Sequence, residues 1–436
     1  VLLFWEQEDL KKELEAFGWK VYQIHCTNNA ALFIKIRRRI DAFYFAKYMK
    51  TPTTKLRQKH RYASFPFKKK IKFIINKIEQ LTYNTADYEN DKKLLSELIQ
   101  QTQAWQEINQ ILLSEKVEHV FTTAPFLESE DWVCRAAQYQ QIPIYYSVLS
   151  FDNPTTRGYM PFVPEKVSVW NKNNKEQLIR VWGDTVANKI DIIGPPQFDF
   201  YFNNSFIIEE STWRKTKQIE NHRPVIMYGA NAKYFVPDEY KIVKLIDDAI
   251  ESGQIRNNPI ILIRPHPTDS FKDWEVFTQS LKHTIIERSI EKNQSEVELN
   301  NKYSNFTLSD VKNLCSTLSH TAVHISFAST LVLDGICFNK PQICPYFSPS
   351  PQILSHQIVR NLYHTEHYLP ITQSGAVAMP KNENDLIDAI NQSLAAPDNL
   401  ISERNKLKQF YLNNTTGECT TKLATSFSNY LLSRIS

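Results

Sequence analysis

Glycine is scarce: the chain has 9 in 436 residues, where an average composition of ~7% would give about 30. The nine are scattered, so neither a G-x-x-x-x-G-K-[ST] phosphate loop nor a G-x-G-x-x-G fingerprint can be built. That argues against a P-loop NTPase and a typical dinucleotide-binding dehydrogenase. G-x-S-x-G and H-E-x-x-H are also absent, which removes the commonest hydrolase signatures. Six cysteines stand at 26, 134, 315, 337, 344 and 419. None is spaced C-x-x-C, so no zinc ribbon or thioredoxin-type site is indicated; they read as reduced, cytosolic and mostly buried thiols. No run approaches the ~18 apolar residues of a membrane span. No secretory leader is recognisable, and the chain starts at Val1 without a methionine, so the natural N-terminus is expected to lie upstream.

What is present is a globular composition, 42% hydrophobic and 22% charged, long enough for two domains of ~200 residues. The charge is uneven. From Lys35 to Lys77 there are 15 Lys and Arg against one acid, Asp41, so a net charge of +4 conceals a segment at +14 and a remainder at −10. Aromatics such as Phe33, Tyr44, Phe45 and Tyr48 are interleaved with it. Three readings stand: a solvated helix face with its aromatics in the core; a surface holding Arg37, Arg38, Arg39, Lys68, Lys69 and Lys70 that docks on anionic lipid or a lipid-linked acceptor; and nucleic acid. The last is the weakest, since no nucleic-acid module accompanies the charge.

Along the chain, helical patterns alternate with short β-branched runs. Strands are expected at 19–25, 117–123, 142–148, 165–170 and 189–194. A second series follows at 225–229, 260–264, 283–287, 323–326 and 342–345. One long helix is expected at 91–115, and three amphipathic helical segments at 382–434. Alternating strands and helices imply parallel sheets with right-handed crossovers. The expected organisation is an N-terminal acceptor-side domain at 1–205 with a basic helical insertion near 29–82. A linker at 206–223, a donor domain at 224–398 and C-terminal helices at 399–436, packing back on the first domain, complete it. Two such series in tandem imply two Rossmann-like, doubly wound α/β domains facing a central cleft, with ligands at the carboxyl ends of the strands.

The loops at those ends carry the chemistry. Arg264-Pro265-His266-Pro267 follows 260–264: two prolines fix the backbone around an imidazole that can donate to a phosphate or sugar oxygen, and Arg264 can neutralise charge. A structural turn is the alternative. Ser329 and Thr330 follow 323–326 and open a helix, where hydroxyls serve either as N-caps or as a diphosphate site. Asp334 lies one turn on, placed to accept from ribose hydroxyls. Gly229 permits close backbone approach and Lys233 reaches a phosphate. In the first series, Asp152 after 142–148 is a candidate general base, with Asx-turn chemistry as its alternative. Glu128, Glu130 and Asp131 are rival bases. His364 and His367 lack an evident third ligand, so no metal site is expected.

Three stretches together resemble the GT-B superfamily of nucleotide-sugar glycosyltransferases, and within it bacterial surface-polysaccharide enzymes. They are SFDNPTTRGYMPFVPEKVSVWN (150–171), IIGPPQFDFYF (192–202), and the pair IRPHP (263–267) with SFASTLVLDGICFNKPQI (326–343). The His-Pro turn paired with a Ser/Thr loop also occurs in sialyltransferases, Kdo transferases and CDP-glycerol glycerophosphotransferases. The resemblance implies a cytoplasmic enzyme, at the inner face of the membrane if the basic segment docks there, with no cofactor and no metal. It implies a nucleotide-sugar donor, a cytidine nucleotide being favoured, and a polysaccharide or lipid-linked glycan acceptor. His266 would touch the nucleotide phosphate; Ser329 and Thr330 would hold phosphate oxygens. The sialyltransferases' D/E-D/E-G triplet is absent from the first domain. A polyol-phosphate transferase, a non-hydrolysing sugar-nucleotide 2-epimerase and a non-catalytic binder are the alternatives.

Overall fold

Strands such as 225–228 and 260–263 are apolar at every position, which suits parallel sheets covered on both faces. A computed structural model of the chain describes residues 2–4, 8–24, 26, 30–49, 53, 55–56, 70–71, 74, 82–157, 159–232, 235–236, 238–266, 271–287, 307–350, 353–413 and 416–435. It divides the chain into two compact units, Val1–Pro195 with Thr421–Ser436, and Pro196–Thr420.

The first unit opens with β1 (Leu2–Phe4), α1 (Glu8–Ala16), β2 (Val21–Gln23) and α2 (Ala31–Tyr44). After α3 (Thr85–Gln100) and α4 (Gln103–Ser114) come β3 (Val120–Thr122), α5 (Glu128–Tyr139), β4 (Ile144–Ser147), the single turn α6 (Asn153–Thr156), β5 (Lys166–Val169), α7 (Lys172–Trp182) and β6 (Ile190–Ile192). β3 to β6 form a four-stranded parallel sheet in sequence order, and β1 pairs with β2 in parallel.

The long helix expected at 91–115 is two helices. Asn84 starts the first early, with a capping box to Asp87, and Thr102 turns extended and accepts from the Trp105 N–H at 3.2 Å, starting the second.

In the described part of the basic segment, α2 is amphipathic. Phe33, Ile36, Ile40 and Tyr44 recur at helical spacing in α2 and are buried. Arg38 is exposed, Arg37 reaches the Phe126 carbonyl at 3.4 Å, and Arg39 grips the buried Asp91 through two bonds of 2.8 and 2.6 Å. Arg39 therefore braces α2 against Asp91 of α3. Lys70 is half-buried; Lys68 and Lys69 lie outside the described residues. Arg39→Ala is expected to cost about 1.5–3 kcal/mol, the worth of a charged hydrogen-bonded pair. Arg38→Ala should stay within ~0.5 kcal/mol. Urea denaturation of both variants checks this; equal midpoints would contradict it.

The second unit runs through α8 (Glu210–Thr216), β7 (Val225–Gly229), α9 (Tyr240–Glu251), β8 (Ile260–Arg264), α10 (Phe271–Thr278), β9 (Thr284–Ile286), α11 (Leu308–His320), β10 (Val323–Ser326), α12 (Leu331–Cys337) and β11 (Gln342–Ile343). The strands form a parallel sheet in the order β11-β10-β7-β8-β9, a doubly wound arrangement that starts in the middle and grows both ways. Then come α13 (Ile353–Tyr363), α14 (Leu369–Gln373), α15 (Glu383–Ala395), α16 (Ile401–Leu412) and α17 (Cys419–Ile435).

The expected linker 206–223 lies inside this unit. Trp213 of α8 is fully buried and donates to Thr317 at 3.2 Å, and the Ile208 N–H donates to Ser316 at 2.8 Å. α16 also stays here, with Lys408 donating to Asn339 at 3.2 Å. From Thr421 the last helix belongs to the first unit: Ser426 donates to Asp191 at 2.7 Å, and Phe427 packs on Phe121 and Tyr145. All six cysteines are buried and none is in a disulfide. No helix among the described residues is long and apolar enough to cross a membrane.

Candidate functional site

The middle of the second sheet fixes where its loops emerge. Ser326 is level with Gly229, and Gly229 with Arg264. The strands β10, β7 and β8 therefore deliver three of the sequence-predicted segments side by side at one carboxyl edge: Phe327 to Thr330, Gly229 to Asn231, and Arg264 to His266. Such an edge, in a doubly wound sheet, is where ligands bind.

Arg264 is held by Glu287, with Nη1 2.5 Å from Oε2. Register explains the pairing, because each residue directly follows the partners Ile263 and Ile286. Glu287 also takes bonds on Oε1 from Thr317 at 2.5 Å and Asn313 at 3.2 Å, with Lys217 3.2 Å away. Burial acts to raise its pKa, but Arg264 first and then Lys217 outweigh it and hold the carboxyl below its ordinary range. His266 is half-buried at the end of this loop. Lys233 lies outside the described residues.

The Ser/Thr loop splits its two hydroxyls. Ser329 Oγ accepts from the Leu331 N–H at 3.3 Å, whereas Thr330 is exposed and its side chain makes no cap bond at the start of α12. Gly229 has a packing reason that the sequence reading lacked: a Cβ there would overlap the Leu331 side chain. The space beside it is filled by this leucine, so its small size seats α12 on β7.

Asp334 sits half-buried on α12 and accepts from the Tyr201 hydroxyl at 3.0 Å. One carboxylate oxygen is therefore taken, and the expected ribose contact is left to the other. Burial pushes its pKa up to about 7, with Tyr201 and the charge of Arg264 opposing. A carboxyl raised above its unfolded value of about 3.9 contributes stability that is full below that value and is lost as pH rises through 7. Asp334→Asn is therefore expected to flatten the stability profile between pH 4 and 7 and to stabilise the protein at pH 8, by on the order of 2–4 kcal/mol. Denaturation midpoints across that range test this; an unchanged slope contradicts it.

In the first unit, Asp152 precedes α6 beyond β4. Its Oδ2 accepts from Thr156 at 2.8 Å and its Oδ1 from Asn153 at 3.3 Å. The loop is braced from below: Asn174 donates to the Phe151 carbonyl at 2.8 Å, Trp170 to that of Val148 at 3.0 Å, and the Ser150 N–H to Asn153 at 3.0 Å. Two of the rival carboxylates are committed elsewhere. Glu130 Oε2 accepts from Thr122 Oγ1 and from the N–H groups of Thr123 and Ala124 at 2.5, 3.1 and 2.9 Å, tying down the loop after β3. Asp131 is buried against Arg135 at 3.0 Å. Glu128 opens α5, half-buried.

Sequence reasoning missed Tyr201, Glu287 and Asp199. Asp199 accepts the N–H groups of Cys419 and Thr420 at 3.0 and 2.7 Å, which makes the Phe-Asp of 192–202 a helix cap for α17. His364 and His367 pair with Tyr346 and Thr365 at 2.7 and 3.3 Å.

No protein-family model matches the chain, and no curated protein matches it in sequence. Among solved structures, a Staphylococcus aureus MnaA–UDP co-structure aligns with a TM-score of 0.51 and 12% identity, over 78% of this chain and 82% of that one. A candidate UDP-N-acetylglucosamine 2-epimerase from Listeria monocytogenes gives 0.51 and 9%, over 78% and 81%. A glycosyltransferase from Rickettsia africae aligns over 99% and 97% of the two chains, with a TM-score of 0.45 and 10% identity. At such identities the likeness is one of fold, carried by the first two, and with its two parallel doubly wound sheets the chain has the GT-B fold.

Proposed function

We propose that the chain is an enzyme acting on a nucleotide-sugar, and specifically an inverting glycosyltransferase that uses no metal. Its acceptor is a cell-surface polysaccharide or a lipid-linked glycan, met on the cytoplasmic side of the membrane. One observation carries this reading: the level register of Ser326, Gly229 and Arg264, which gathers the Ser/Thr loop, the Asn231 loop and the His-Pro turn at one sheet edge. Polar and cationic groups converging at a carboxyl edge suit a phosphorylated ligand.

In this mechanism, Thr330 and the backbone of the Ser/Thr loop hold diphosphate oxygens. Arg264, fixed by Glu287, together with His266 and Lys233, stabilises the charge that develops on the leaving nucleotide. Asp152 takes the proton from the acceptor hydroxyl. The hydroxyl oxygen forms its bond to the anomeric carbon as the bond to the nucleotide's phosphate oxygen breaks, and the nucleotide leaves with the electron pair. The resemblance of the His-Pro and Ser/Thr segments favours a cytidine nucleotide.

A second reading is a sugar-nucleotide 2-epimerase, favoured by the fold likeness to the Listeria protein and to the UDP co-structure. The two differ in products. A transferase releases free nucleotide only when an acceptor is present; an epimerase interconverts two nucleotide-sugars without one. Incubation with UDP-N-acetylglucosamine and CMP- or CDP-linked donors, with and without a membrane glycolipid extract, followed by mass and NMR analysis of the nucleotide pool, separates them. Acceptor-dependent nucleotide release supports the first reading. Acceptor-free epimerisation overturns it.

A further inference from the structure

The first unit carries a groove of about 1150 Å³ between α4 and α5 that the proposed chemistry does not use. We propose that this groove binds an uncharged stretch of a glycan chain. None of the nine lining residues is charged. The side chains of the exposed Gln100, Gln106 and Gln110 make no hydrogen bond among the described residues, so each amide offers a carbonyl acceptor and two N–H donors. Beside them lies Tyr139, 69% exposed, its ring set edge-on at 5.9 Å from the buried Trp105. An aromatic ring fixed from behind and bare in front offers a flat apolar platform with a polar tip. Asn109 and Gln140 are locked to each other at 2.7 Å, which stiffens the floor.

This set matches a sugar and matches other ligands poorly. A nucleotide or an acidic polymer brings negative charge, and no lining cation meets it. A protein partner resting on Leu113 and Tyr139 would bury three glutamine amides, at a cost for each left unpaired. A pyranose presents an apolar ring face to Tyr139 and a rim of hydroxyls, each donor and acceptor, to the amides. The groove is shallow and open along its length, which suits a chain of sugars lying on the surface.

Calorimetric titration of the full chain with chitotetraose, maltotetraose and the acidic hyaluronan tetrasaccharide tests this. A neutral tetrasaccharide is expected to bind the wild type, hyaluronan is not, and Tyr139→Ala is expected to weaken binding at least tenfold. Tyr139 is mostly exposed, so thermal unfolding of that variant should match the wild type. The double change Gln106→Ala, Gln110→Ala provides a second test at positions that are also exposed. Absence of binding by both neutral sugars, or unchanged binding in both variants, overturns the proposal. So does a dimer in sedimentation that Leu113→Glu disperses, which would assign the face to a second copy of the chain. Nucleotide binding, read separately, should be untouched by these variants, so this site and the catalytic reading fail independently.

Discussion

Asp152→Asn is expected to lower turnover by ~10²–10⁴, the range for loss of a general base, while leaving donor affinity intact. The asparagine keeps the size and one carbonyl oxygen, so Thr156 retains an acceptor. The bonds from Asn174, Trp170 and Ser150 that brace the loop do not involve the Asp152 carboxylate, so the fold should hold to within ~1 kcal/mol. Donor affinity is expected to survive because the loops proposed to hold the donor belong to the other unit. Steady-state kinetics beside a denaturation curve read both effects. Turnover within severalfold of wild type would make Asp152 a turn residue and move attention to Glu128, since Glu130 and Asp131 are already committed to Thr122 and Arg135. Loss of stability together with activity would favour the turn as well.

Glu287→Gln is expected to cost about 3–5 kcal/mol, the range for breaking a buried ion pair from one side. The Glu287 side chain is 2% exposed and faces both Arg264 and Lys217. A neutral amide leaves two cations without their anion. Because the folded carboxyl sits below its ordinary value of about 4.3, its contribution is present above that pH and is lost as pH falls through the folded value. Wild-type stability should thus fall on the acid side through Glu287, and the variant should lose much of that slope. Asp334 works in the opposite direction, over pH 4 to 7. A variant as stable as the wild type, with the same acid limb, contradicts the assignment of Glu287 as the anchor of Arg264.

Much of the fold was legible because 225–229 and 260–264 are almost wholly apolar runs, and 323–326 alternates apolar and polar residues ahead of a helix start; all three are the strands observed. Their positions say which loops follow strands, and so point to His266, Ser329 and Thr330. What the pattern does not encode is which strands are neighbours. Arg264 and Glu287 are 23 residues apart in the chain and meet only through the register of β8 and β9. Tyr201 meets Asp334 across 133 residues. The same gap explains Gly229, whose reason is Leu331 from a distant helix, and Arg39, which reads as one cation in a basic run until Asp91 is seen beside it. The break at Thr102 was readable as an N-cap residue, but the unbroken apolar periodicity on either side hid it.

The central claim is that the carboxyl edge of the second sheet holds the phosphates of a nucleotide. Its most direct test is calorimetric titration of CMP, CDP, UDP and GDP into the wild type, His266→Ala and the double variant Ser329→Ala, Thr330→Ala. The account predicts binding of at least one pyrimidine nucleotide by the wild type. Each variant should bind it about 10- to 150-fold more weakly, the equivalent of ~1.5–3 kcal/mol for a lost charge-assisted hydrogen bond; without ligand each should still unfold cooperatively, the double variant somewhat earlier because Ser329 accepts from the Leu331 N–H. No nucleotide binding by the wild type, or equal affinity in all three proteins, would contradict it.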